Sequence, residues 1–239
     1  MTTPPAPSNQ KAGIVEDFFD IFVTPSAVYE RRRDSSAWIP LVVVSVVLGL
    51  AFIATSGAMQ PIMDAEFARG MKATLESDSR FTAEQMQQGR AFAEGFGKIM
   101  FIIGTPIAIV FSGLALMLTA KFVDAKIKLG TGVMIAAWAF VPRIIGAVAT
   151  AIQLQFMKPE SLDGIYRISS GPARFMDPDT APPMLLAIAG RFDLFILWTT
   201  LLLAIGLSVV ARISRANAML AAFGVWALGT FFALFGALR

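Results

Sequence analysis

Cysteine and histidine are both absent from the 239 residues. Their absence excludes disulfide frameworks, Cys/His zinc centres, thiol nucleophiles, His-dependent triads and haem ligation through either residue. Ser45, Ser112 and Ser208 therefore have no imidazole to activate them. Charge is scarce as well, at 15% of residues against about a quarter in soluble domains. Twenty Lys and Arg against seventeen Asp and Glu leave a net charge of only +3, with no basic footprint for nucleic acid. No Walker-type phosphate loop occurs. No catalytic, cofactor-binding or metal-ligating residue is expected, and the chain does not read as an enzyme.

What is abundant is apolar side chain, 56% of the total, and it is segregated. No charge lies between Asp34 and Asp64, Lys98 and Lys121, Asp193 and Arg212, or Arg215 and Arg239, and only Arg143 lies between Lys128 and Lys158. Each interval can supply the roughly 20 apolar helical residues that cross a hydrocarbon core. Unbroken runs such as Leu41 to Leu50 lack the two-residue alternation of a barrel strand. The fold class expected is an all-α integral membrane protein with five transmembrane helices, an N-terminal amphipathic helix and two longer external loops. The expected organisation is a tail over 1–12, an interfacial segment over 13–37 and a membrane domain over 38–239. Spans are expected at about 38–57, 99–120, 131–157, 190–211 and 216–238. The first ten residues lack a basic region followed by an apolar one, so the first span is expected to stay as an anchor and not to be cleaved.

Arg31, Arg32 and Arg33, then Lys121, Lys126 and Lys128, then Arg212 and Arg215 alternate with the long loops, so all three clusters fall on one side. The positive-inside rule puts that side and the N-terminus in the cytoplasm and the end of the fifth span outside. Small residues recur at four-residue spacing, at Gly146 and Thr150, Ala204 and Ser208, Ala218 and Ala222, and Gly229, Ala233 and Ala237. Such rows let helices approach closely.

Ile14, Val15, Phe18, Phe19, Phe22 and Val23 repeat at helical spacing up to Pro25, while Glu16, Asp17 and Asp20 are expected to face away. Phe18, Phe19 and Phe22 are the face expected to bury, on the membrane surface or against the spans, with Arg31, Arg32, Arg33 and Trp38 at the interface. In the first long loop Phe67, Met71 and Leu75 share a helical face, and Thr82 with Gln85 has the spacing of a capping box opening a helix through Phe92 and Phe96 into the second span. The second long loop, rich in proline from Pro159 to Pro183, reads as irregular. Pro106 and Pro142 are candidate helix breaks within spans. Arg143 is expected to be buried and paired with Asp193, since an Arg at a span centre costs about 2.5 to 3.5 kcal/mol on insertion scales. That pairing requires a fourth helix beginning near Met184 rather than at Leu194.

The order of parts resembles the Ypt-interacting protein (Yip) domain family, in its bacterial branch. The likeness rests on Asp17-Phe-Phe-Asp-Ile-Phe-Val-Thr-Pro25-Ser-Ala-Val-Tyr29 with the basic stretch and Trp38-Ile-Pro40 after it, on Ala139-Phe-Val-Pro142, and on Asp193-Leu-Phe-Ile-Leu-Trp198 leading to Ala204-Ile-Gly206. The resemblance implies five spans with a cytoplasmic N-terminus in the bacterial inner membrane, and eukaryotic members are associated with Rab-type GTPases and vesicle membranes. The function expected is a non-enzymatic, membrane-organising or partner-binding scaffold. Its partners would be the lipid bilayer and, further, other membrane proteins or its own copies, with no nucleic acid and no cofactor. The alternative is a transport protein or channel subunit using the Arg143 region.

Overall fold

The computed structural model describes residues 13–77 and 83–238. The expected tail over 1–12 and the Thr82 capping residue lie outside them. Among the described residues the chain is mainly helical, with no strand, and five helices are long and apolar enough to cross a membrane. The short helices α1 (Ile14–Val23) and α2 (Pro25–Arg32) come first, followed by α3 (Trp38–Thr55), the first span. Lipid offers no partner to a backbone N–H, so a valine-rich run that would favour a strand in water is helical here. Ser56 ends it, its hydroxyl donating to the Ile53 carbonyl at 2.8 Å.

Next are α4 (Gln60–Ser77) and α5 (Ala83–Ala120), which is unbroken from the loop region into the second span. Pro106 does not break it, contrary to expectation. Proline is tolerated in spans where the freed carbonyl is satisfied by local adjustment. The third span does break: α6 (Leu129–Ala139) stops at the turn Phe140–Val141, and α7 (Pro142–Phe156) restarts with Pro142 in its first turn, where the missing N–H costs nothing. After three short 3₁₀ turns between Pro159 and Phe175 come α8 (Pro183–Gly190), α9 (Leu194–Ala211) and α10 (Arg215–Ala237). Asp193 and Ser214 cap the last two, accepting from the Phe195 N–H at 2.9 Å and the Asn217 N–H at 3.2 Å. The fourth span therefore starts at Leu194, and α8 is a separate helix, because a capping carboxylate stands where a continuous helix from Met184 would have run.

The spans alternate in direction, so the three Lys/Arg clusters gather at one end of the bundle and both long connections at the other. These are the basic end and the loop end. The third span is central, with 61% of its most apolar stretch buried against 17% for α10. Its residues Met134 to Val141 form one core with Val44, Ile109, Leu116, Leu202, Leu207 and Ala218. The tightest crossing is α5 on α6. A Cβ on Gly113 would lie 2.6 Å from the Val133 Cα, and one on Gly132 would collide with the Gly113 carbonyl. Of the small-residue rows, Ala204, Ala218 and Ala222 are buried inside this bundle.

Candidate functional site

The core also contains three residues that precede the first span. Ile21, Val28 and Tyr29 are fully buried among α6 and α9. Thr24 and Pro25 turn the chain so that α1 and α2 form a helical hairpin. Tyr29 fits because Gly206 has no side chain: a Cβ there would lie 2.9 Å from the Tyr29 ring. The Tyr29 hydroxyl donates to the Ile135 carbonyl at 3.4 Å. On α1, Phe18 tilts against Trp138 at 4.9 Å between ring centroids, and Phe22, nearer the turn, meets Trp198 edge-on at 5.6 Å. At 1.5 Å per residue, Trp138 lies roughly 14 Å and Trp198 roughly 20 Å along their helices from the basic end. The hairpin therefore runs alongside the spans to about half the bundle's depth.

A polar clasp closes its open end. Asp17 and Arg31 stand at equal distance in sequence from Thr24, which places them opposite each other in the hairpin. Arg31 Nε donates to Asp17 at 2.9 Å, Arg32 Nε grips the other Asp17 oxygen, and Arg31 Nη2 reaches Asp20 at 2.5 Å. Burial opposes the Arg31 charge, but hydrogen bonding and attraction from Asp17 and Asp20 outweigh it and hold its pKa above the ordinary value. Arg33 donates to the Val209 carbonyl at 2.7 Å, satisfying one of the unpaired carbonyls in the last turn of α9. The expected face is thus corrected at Asp17, which is wholly buried instead of facing away, while Phe18 and Phe22 pack inward and Phe19, 71% exposed, is left on the hairpin's outer side. Trp38 also points outward.

The hairpin joins short motifs that lie far apart in sequence: the Asp17 to Tyr29 stretch forms it, Trp198 at the end of the Asp193 lead-in meets Phe22, and Gly206 at the end of the Ala204 motif makes room for Tyr29. The model of the Yip1 domain matches residues 19–236. The chain belongs to the Yip1 domain family. No curated protein and no solved structure shows a significant match to it. Within this Yip1 domain the hairpin begins just ahead of the matched region and packs on its central helices.

Arg143 and Asp193 line one cavity of about 380 Å³ between α3, α5, α7 and α9. They share no ion pair. Asp193 accepts from the Phe195 N–H, from the Ser170 N–H at 2.7 Å and from the Ser169 hydroxyl at 3.1 Å, so it serves as a cap and loop anchor at the loop end. Arg143, in the first turn of α7, stacks 4.3 Å from the Phe140 ring and its Nε donates weakly to Thr199 at 3.5 Å. At the loop end, Glu66 of α4 accepts from the Ile165 N–H at 2.8 Å and Arg69 pairs with Asp179 at 3.1 Å. The sequence reading missed Tyr29, Gly206 and Ile135 as one contact. A single signal could have found it: a tyrosine close before the first basic cluster, in a chain with only two tyrosines.

Proposed function

We propose that this Yip1 domain protein is a non-enzymatic membrane-organising protein whose α1–α2 hairpin acts as a wedge in one leaflet. The observation that carries the reading is the depth of the hairpin. It adds two helices to the cross-section of the basic-end half of the bundle, where the loop-end half gains the single short helix α8 packed on α10. A bundle wider at one end favours a bilayer that curves around that end. The Lys and Arg clusters support a reading in which the basic end faces the cytoplasm of a bacterial cell and the loop end and the end of α10 face the outer side of its inner membrane. The exposed Phe19 and Val23 sit on the hairpin's outward side, suited to lipid chains or to apolar helices of partner proteins, including a second copy. The transport alternative rested on Arg143 in mid-membrane and on helix breaks at Pro106 and Pro142 around a cavity; α5 runs on through Pro106, which leaves the break before Pro142 and the cavity at Arg143 to support it.

Vesicle sorting tests the wedge. Reconstituted protein should reach higher density on small vesicles than on large ones, and a chain lacking residues 13–33 should show no size preference. Equal density of the full chain on both sizes would reject the wedge, whereas solute flux that disappears with Arg143→Ala would favour transport.

A further inference from the structure

The cavity at Arg143 is independent of the hairpin and holds an unmatched charge. Among the described residues neither terminal amino group of Arg143 has a hydrogen-bond partner, and the one bond it donates to them is the long one from Nε to Thr199. The nearby carboxylate, Asp193, already accepts three hydrogen bonds and forms no ion pair with it. A guanidinium at this depth of a membrane domain, lining a cavity with free donors, lacks an anion.

The rest of the cavity narrows the class of that anion. Its volume of about 380 Å³ equals that of roughly a dozen water molecules at about 30 Å³ each, well beyond a lone inorganic ion. Leu48, Phe52, Phe195 and Ile196 give it an apolar wall, with Thr55, Thr105 and Thr150 as scattered polar points. A cation facing a mainly apolar wall matches a molecule with an anionic head and a hydrocarbon chain. We propose that this cavity binds an anionic amphiphile, whose phosphate or carboxylate seats on the free amino groups of Arg143 and whose acyl chain lies along Phe52, Phe195 and Ile196.

The test is native mass spectrometry of the full chain released from bilayers of phosphatidylglycerol and phosphatidylcholine with identical chains, followed by competition with oleate or inorganic phosphate. The wild-type chain should retain the anionic lipid in preference to the zwitterionic one by roughly tenfold, as expected of a charge-assisted bidentate contact. Arg143→Gln should abolish the preference. Ala147→Leu, which narrows the cavity and leaves Arg143 in place, should weaken retention of both lipids. Displacement by oleate assigns a carboxylate head, and resistance to oleate with the preference intact assigns a phosphate head; both support the site. Preference that survives Arg143→Gln, retention unchanged by Ala147→Leu, or displacement by inorganic phosphate alone at matched concentration would overturn it.

Discussion

Removing the Asp17 carboxylate should release the hairpin. Inside a bilayer, moving Phe18 or Phe22 from the bundle into lipid costs only packing, because hydrocarbon is as apolar as the core. Polar contacts therefore decide how firmly the hairpin docks. The Tyr29 bond is long, and bonds between membrane helices average about 0.6 kcal/mol, so Tyr29→Phe should matter little. Asp17 is different, being wholly buried and held by two guanidinium groups. Breaking a buried pair from one side costs about 3 to 5 kcal/mol, a figure to be discounted because Arg31 and Arg32 are 28% and 22% exposed and Arg31 keeps Asp20. We expect about 2 to 4 kcal/mol for Asp17→Ala, or roughly a 30- to 700-fold rise in the undocked population at tenfold per 1.4 kcal/mol. The chain has no cysteine, so Ser26→Cys beside the turn provides a single reactive thiol for a charged maleimide. Its labelling should be slow in the parent and accelerate with Asp17→Ala. Adding Arg32→Ala should cost less than the sum of the two changes. Unchanged labelling of Ser26→Cys after Asp17→Ala would refute the clasp.

Four further expectations follow from the same geometry. Gly113→Ala forces a Cβ onto the α6 backbone and should lower stability by about 1 to 3 kcal/mol in a detergent unfolding assay, while Gly89→Ala, which meets nothing within 4 Å, should be neutral or stabilising by up to about 1 kcal/mol. Asp193→Ala should cost about 0.5 to 2 kcal/mol through loss of the α9 cap, and a double-mutant cycle with Arg143→Ala should show coupling of no more than about 0.5 kcal/mol, since the two share no ion pair. Asp163, hydrogen-bonded by Arg167, is held below the usual carboxylate pKa despite some opposing burial. Its contribution is present above the unfolded value and lost as pH falls through the lower folded value, so hydrogen exchange around 163–174 should stay flat through mild acid and rise only in stronger acid, a rise that Asp163→Asn should flatten. Gly206→Leu should expel Tyr29 and raise labelling of Ser26→Cys as Asp17→Ala does.

Much of this was legible because a membrane imposes a simple rule. Charge-free intervals long enough to cross hydrocarbon marked the spans, and the charged residues between them marked the loops. Boundaries differed where a polar side chain acts on the backbone, as Asp193 does in starting α9 at Leu194. The amphipathic helix was legible from Ile14 to Val23, and so was its end before Pro25. Its partner face was not, because a helical period assigns every aspartate to the wet side. Asp17 is buried only because the Thr24 turn brings Arg31 and Arg32 across from it, a relation between two helices that neither period contains. Pro106 misled for the related reason that a proline's local penalty is set by what surrounds the freed carbonyl. The close crossing at Gly113 and Gly132 was invisible because the two glycines belong to different spans.

The central claim, a hairpin sunk to half the membrane from the basic end, is tested most directly by depth-dependent quenching of a fluorophore at Ser26→Cys in bilayers with quenchers at different positions along the lipid chain. Ser35→Cys, between α2 and α3, serves as the shallow reference. The account predicts strongest quenching of the Ser26 label by quenchers deep in the chain and of the Ser35 label by those near the headgroup. Strongest quenching of both labels at headgroup depth would contradict it.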